Sequence, residues 1–231
     1  DKNTDHIEVR VYEYTHDSPE YNRQETIYTA KGHKPCYPRM INNVCSFPPR
    51  QQFINDLVVK EHSLGRKVLI LSDRREHLNA TLNHLNTRIH PDVAGLYVGG
   101  MRPEQLRTSQ EKDIILGTFS MASEGMDIPK LNTIVLASPK SDVIQSVGRI
   151  LREKPEKRKF HPLVIDIVDV HPNLSHFDSQ YNKRLKFYHQ QNYEVFCINT
   201  ENIKSKLEKK KRGGRKPVKN VYQMDCLIDD D

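Results

Sequence analysis

Five short apolar runs, separated by stretches of helical periodicity, constrain the fold of this chain more than any other feature. Residues 67–72 (apolar throughout at 68–71), 93–98, 114–117, 133–137 and 163–168 each read as a strand. Runs that are apolar without alternation belong to strands buried on both faces, as in parallel sheets. Between them, apolar residues recur at helical spacing. Phe53, Ile54, Leu57 and Val58 form a stripe over 50–64, and Gly65 supplies a stop. Asp73 is placed to cap a helix whose inner face is His77, Leu78, Leu82 and Leu85. A helix over 103–110 opens with Pro103 in its first turn, and another spans 143–151. Over 173–191, Leu174, Phe177, Tyr181, Leu185 and Tyr188 fall roughly on one face. Strands alternating with helices at this spacing predict an α/β fold: a parallel sheet flanked by helices.

The two ends read differently. Residues 7–14 alternate apolar and polar with period two, as a half-exposed strand does. Residues 15–49 have no clean period, and Pro35, Pro38, Pro48 and Pro49 argue against a long helix there. That stretch reads as an irregular connection or insertion with room for a short hairpin. At the other end, residues 204–219 hold nine Lys/Arg and one Glu. The whole chain carries only +6, so the body is slightly acidic and the tail is basic. Such a run is a flexible solvated tail, a phosphate-gripping arm or a nuclear-import signal. The 231 residues thus divide into 1–49, a main domain over 50–200, and the tail over 201–231. An apolar content of 36% agrees with part of the chain staying outside the core.

Several classes drop out. No run of 18 apolar residues could span a bilayer, and the charged first residues lack a signal-peptide core. The opening on Asp1 rather than Met reads as a piece of a longer polypeptide. Cys36, Cys45, Cys197 and Cys226 form no CxxC pair. Even with His33 close in sequence they read as reduced thiols of an intracellular protein rather than a zinc site.

Ligands of parallel α/β sheets bind beyond the carboxyl ends of the strands. Those ends carry the polar clusters Ser72-Asp73-Arg74, Gly99-Gly100, Gly117-Thr118 and Ser138-Pro139-Lys140. Further on, QSVGRILR at 145–152 places Arg149 and Arg152 three apart, hence on one face of a helix, with Gly148 permitting close backbone approach. Two fixed guanidiniums at a sheet edge suit a phosphate whose charge grows during transfer.

At these residues the chain resembles a known family. The QxxGRxxR at 145–152 is similar to motif VI of superfamily-two helicases. The SEGMDIP at 123–129, after Gly117-Thr118, is similar to motif V, and VLILSDRREH at 68–77 to motif IV. The three occur in the expected order, and the resemblance, covering roughly 50–170, is to the second, C-terminal RecA-like domain of such motors. It implies an ATP-dependent helicase in the full-length protein, with this fragment inactive alone. Arg149 and Arg152 would then reach the γ-phosphate of ATP, which the N-terminal RecA-like domain mainly binds together with Mg²⁺. Gln145 would hold the same network, Asp127 would meet the ribose, and Gly125 would allow the turn. Arg74, Gly100 and Thr118 would contact nucleic-acid phosphates, joined by Lys209, Lys210, Lys211 and Arg212 of the tail. Each residue also has a plainer reading. The arginines could pair with Glu153 or Glu156, Asp127 could cap, Arg74 could be solvated, and Thr118 and Gly100 could serve turns.

The form of motifs V and VI resembles the DNA-translocating, excision-repair-like branch. Within it the likeness is to helicases of large DNA viruses, of the poxvirus transcript-release type and its African swine fever virus counterpart. DNA is therefore the expected partner, with RNA open. Transcription or repair machinery would be further partners, in the nucleus or cytoplasm of a host cell, with no membrane involved. The sequence holds no GxxxxGK[ST] loop and no DExx box after a strand; LVIDIVD at 163–169, with Asp166 and Asp169, reads as a structural strand. A catalytically silent RecA-like module binding nucleic acid or a protein partner is the rival. A Rossmann-type enzyme would need a GxGxxG turn, which is missing.

Overall fold

In the computed structural model, residues 7–124, 126, 128, 130–148 and 157–199 are described. The apolar runs form the strands expected of them: β4 (Val68–Leu71), β5 (Ala94–Tyr97), β6 (Ile114–Gly117), β7 (Thr133–Leu136) and β8 (Leu163–Asp169). With β1 (Glu8–Tyr14) and β9 (Glu194–Asn199) they make a seven-stranded sheet in the order β5-β6-β4-β7-β8-β1-β9. Every neighbouring pair in it is parallel.

Continuous apolar sequence is used on both faces. Val68 and Ile70 of β4 face one core with Ile114, Leu116, Val135 and Ile165. Leu69 and Leu71 face the other with Ile115, Ile134, Leu136 and Val164. Over the first face lie α2 (Tyr37–Ser46), α3 (Pro48–Ser63) and α4 (Arg75–Leu85), through Met40, Val44, Ile54, Val58, Leu78 and Leu85. Over the second lie α6 (Phe119–Ser123), α7 (Ile144–Val147) and much of α8 (Ser175–Gln190), through Phe119, Ala122, Val147 and Tyr188. At roughly 25 cal/mol per Å² of apolar area removed from water, these two layers are the main source of stability.

The N-terminal stretch departs from expectation. The period-two strand is β1, which lies inside the sheet between β8 and β9. Val9 and Val11 are fully buried on one face and Tyr12 and Tyr14 buried on the other, so only Glu8, Arg10 and Glu13 keep partial exposure. Residues 15–49 are more regular than their prolines imply. A short helix, α1 (Pro19–Asn22), is capped by Ser18, whose hydroxyl accepts the Glu20 N–H at 3.3 Å. A hairpin of β2 (Thr26–Thr29) and β3 (Gly32–Pro35) follows, and then α2. Pro38 and Pro48 fall in the first turns of α2 and α3, where a missing N–H breaks no helical bond.

Elsewhere α5 (Pro103–Glu111) opens with Pro103 as expected. The helix over 143–151 is seen as α7 with Gly148 after it, and positions 149–151 lie outside the described residues. The basic tail lies outside them too.

Candidate functional site

Because the sheet is parallel, all its strand ends with free polar loops line one edge. From β4 the sheet extends through β6 and β5 to one side, and through β7, β8, β1 and β9 to the other. A crevice is expected where the chain changes direction, beside β4. Asp73, after β4, and Lys140, after β7, join hands across it: Lys140 Nζ is 2.9 Å from Asp73 Oδ2 and 3.3 Å from Oδ1. The same ammonium lies 5.2 Å from the centroid of the Phe119 ring. The Asp73 N–H donates to Ser138 Oγ at 2.9 Å, closing a second link between the two loops. Asp73 is therefore no helix cap. Arg74 occupies the N-cap position of α4 without a capping side chain, and the carboxylate is spent on Lys140.

Arg74 turns back over the start of α2. Its Nε donates to Asn42 Oδ1 and its Nη2 to the Pro38 carbonyl at 3.3 Å. Its side-chain partners among the described residues are neutral, so the positive charge is not cancelled. Thr118 caps α6, its Oγ1 accepting from Met121 N–H at 3.4 Å and lying 3.1 Å from Ser120 Oγ. Behind this rim, His77 Nδ1 is 3.0 Å from Ser72 Oγ. Burial, then the nearby Arg50 charge, lowers His77 to about 3, and burial pushes the Cys45 thiol up to about 11. Both are neutral near pH 7, so this inner cluster is packing rather than an acid–base or nucleophilic centre.

Beneath the rim, the loop after β7 is tethered from both faces of the sheet. On one face Arg50 of α3, fully buried, grips Asp169 through Nε (2.7 Å) and Nη2 (2.8 Å), and its Nη1 donates to the Ala137 carbonyl at 2.9 Å. Tyr21 adds a hydroxyl at 2.9 Å from Asp169 Oδ1. On the other face Arg184 of α8 grips Asp166 through Nε (2.9 Å) and Nη2 (3.0 Å), and its Nη1 donates to the Lys140 carbonyl. Tyr188 donates to Asp166 Oδ2 at 2.8 Å. Burial alone would lower the affinity of both guanidiniums for their protons, but the facing aspartates more than offset it and both are raised. Buried bidentate pairs whose remaining oxygens find donors are the kind that hold a unique geometry.

Residues 50–154 match the family described as "Helicase conserved C-terminal domain". Residues 50–154 thus carry a helicase conserved C-terminal domain. A protein of Acanthamoeba polyphaga mimivirus named "Putative ATP-dependent RNA helicase L396" is 39% identical over 179 residues, covering 76% of this chain and 33% of that protein. The chain thus spans about a third of that relative's length. "Uncharacterized protein 108L" of Invertebrate iridescent virus 3 is 37% identical over 90 residues, 38% of this chain and 80% of that protein. Among solved structures, the crystal structure of T4 UvsW superposes with a TM-score of 0.62 at 20% identity, over 84% of this chain and 42% of that one. The C-terminal domain of the DEAD-box protein Dbp5 gives 0.51 at 14% identity, over 68% and 87%. At these identities the two structures show the fold.

Within this helicase domain the ends of β4 and β6 and the start of α7 share one edge of the sheet. Arg74 and Thr118 lie on it, and Gln145 is exposed on α7. Gly100 has φ +83° with no atom within 4 Å of where a Cβ would lie, so the chain needs its backbone conformation rather than its small size. Arg149, Arg152, Gly125, Asp127, Lys209, Lys210, Lys211 and Arg212 lie outside the described residues. Met126 and Ile128, the neighbours of Asp127, are buried in the second core. No group of three or more His, Cys, Asp or Glu suited to a metal ion occurs among the described residues. Arg50, Arg184 and their aspartates were not legible as site supports. The only available signal was a lone charge within an apolar helical stripe or strand.

Proposed function

We propose that the full-length protein is an ATP-dependent nucleic-acid helicase or translocase, and that this domain supplies the arginine half of a nucleotide site shared with an N-terminal RecA-like domain. The supporting observation is the Asp73–Lys140 bridge at the sheet's switch point, inside a matched helicase domain, with α7 leading from it into QSVGRILR. Bound ATP with Mg²⁺ would supply the phosphoryl bond whose hydrolysis drives movement. The described rim offers the Arg74 cation and the Thr118 and Ser120 hydroxyls, which suit one phosphate-facing wall of that site, and in this reading Mg²⁺ belongs to the other domain.

In this reading Arg149 and Arg152 neutralise charge on the γ-phosphate when the two domains close, and Gln145 orients them. Gly125 and Asp127 meet the ribose side. The tethers from Arg50 and Arg184 fix the loop from which α7 departs, so closure delivers the guanidiniums to one place. Arg74, Gly100, Thr118 and the basic tail, including Lys209, Lys210, Lys211 and Arg212, hold strand phosphates, and alternate closure and opening moves the protein along the strand. The motif form supports DNA as that strand, while the mimivirus relative is named an RNA helicase. The two viral relatives support a viral origin, with transcription or repair machinery of an infected cell as partners.

Substituting Arg152→Ala in the full-length protein tests the assignment. Nucleic-acid-stimulated ATP turnover falls by about 10³ or more if the arginine acts on the transferring phosphoryl group. Unchanged turnover in a normally folded variant would replace this reading with the catalytically silent binding module. Stimulation by single-stranded DNA against RNA of matched sequence assigns the strand.

A further inference from the structure

The hairpin of β2 and β3 packs neither of its faces. In its register Tyr28 pairs with His33, and Ile27 with Lys34 on the opposite side. Tyr28 is 80% exposed and Ile27 40% exposed. A free two-stranded ribbon is marginal in water, yet this one is kept in shape. Thr29 Oγ1 donates to the Gly32 carbonyl at 2.8 Å across the turn, where Gly32 takes φ +98°. The base is closed by Cys36 N–H donating to the Glu25 carbonyl at 2.8 Å, and Asn43 Nδ2 holds the Glu25 carboxylate at 3.0 Å.

Charge around the ribbon has one sign. Between positions 23 and 39 stand Arg23, Lys31, Lys34 and Arg39 against Glu25 alone. All four cations are exposed, and none forms an ion pair with another described residue. The ribbon is also tied to the nucleic-acid edge of the sheet. The helix that follows it, α2, is pinned over its first two turns by Arg74, through the Pro38 carbonyl and Asn42.

We propose that this ribbon is a single-strand nucleic-acid contact, lying apart from the helicase motifs: Tyr28 stacks on an unpaired base while Lys31, Lys34 and Arg39 take neighbouring phosphates. An exposed ring flanked by unpaired cations is how strands are held without regard to sequence. The charge excess favours a polyanion over an apolar protein surface. The proposal rests on the nucleic-acid motor reading above.

Fluorescence anisotropy of the 231-residue chain with labelled oligo(dT) and oligo(rU) tests it. Tyr28→Ala weakens binding about tenfold, and Tyr28→Phe restores it, because only the ring is needed. The deficit persists at high salt, where charge-only contacts of the tail fade. The double substitution Lys31→Ala/Lys34→Ala lowers the slope of log affinity against log salt by about 1.4. With both faces already in solvent, these variants keep the wild-type unfolding midpoint. Wild-type affinity in Tyr28→Ala would overturn the proposal and leave the motor reading intact. Failure of the wild type to bind either oligonucleotide would overturn both.

Discussion

The Arg184 guanidinium donates to the backbone carbonyl of Lys140, 44 positions earlier in the chain. Arg50 does the same for Ala137 from the opposite face of the sheet. Asp166 and Asp169 are three apart on one strand, so their side chains leave it on opposite faces, and each aims one arginine at one end of the same loop. The loop that leads to α7 is therefore positioned by the core itself.

Removing one member of such a buried set strands the other. Arg184→Leu leaves the Asp166 carboxylate with the Tyr188 hydroxyl as its one remaining side-chain donor among the described residues, and should cost about 3–5 kcal/mol in urea unfolding. Adding Asp166→Leu should return much of that loss, because the unpaired charge goes with it. A double variant no more stable than Arg184→Leu would contradict the account.

His77 gives the stability a pH dependence. Its folded-state value lies near 3, below the ordinary 6.5, so the native chain refuses a proton that the unfolded chain accepts. Stability from this group is complete above pH 6.5 and declines as pH falls toward 3, by about 2 kcal/mol at pH 5. His77→Gln, which can still meet Ser72, should flatten that part of the profile in thermal melts taken at pH 7 and pH 5.

Two cations on the rim should behave differently toward nucleic acid. Lys140 is already neutralised by Asp73, and with both side chains about a third exposed the pair contributes at most about 1 kcal/mol. Arg74 has neutral side-chain partners. Arg74→Ala should lower the salt slope of strand binding by about 0.7, and Lys140→Ala should leave it unchanged. Equal slopes for the two variants would remove Arg74 from the strand path.

Deleting residues from 204 onward removes nine of the chain's cations and should flatten the same salt dependence more than either point substitution. An undiminished slope would assign the tail a different role.

How far the sequence could be read follows from where its signals are local. VLIL, IILG, TIVL and LVIDIVD were legible because a strand buried on both faces has no polar alternation to blur it. Helix α2 was missed because Pro38 was taken as a breaker when it falls in a first turn. Strand β9 was missed although Val195, Phe196, Cys197 and Ile198 follow Asn192, whose φ of +56° ends the preceding helix. At the site, the strand-end polar clusters were visible, but Asp73 was assigned to a cap because its true partner lies 67 positions away. The Arg50–Asp169 pair spans 119 positions and has no local signature at all.

Strand β1 has its own consequence. Glu8 lies opposite Leu163 on one side and Glu194 on the other, so β1 finds neither neighbour until β8 and β9 have been made. During synthesis the ribosome must release most of the domain before the sheet can close around it, and until then Val9 and Val11 are exposed apolar surface in search of any edge. A message cut short before the final strand would leave a polypeptide with a sticky flank, which makes chaperone demand and aggregation of truncated products a property built into the order of the strands.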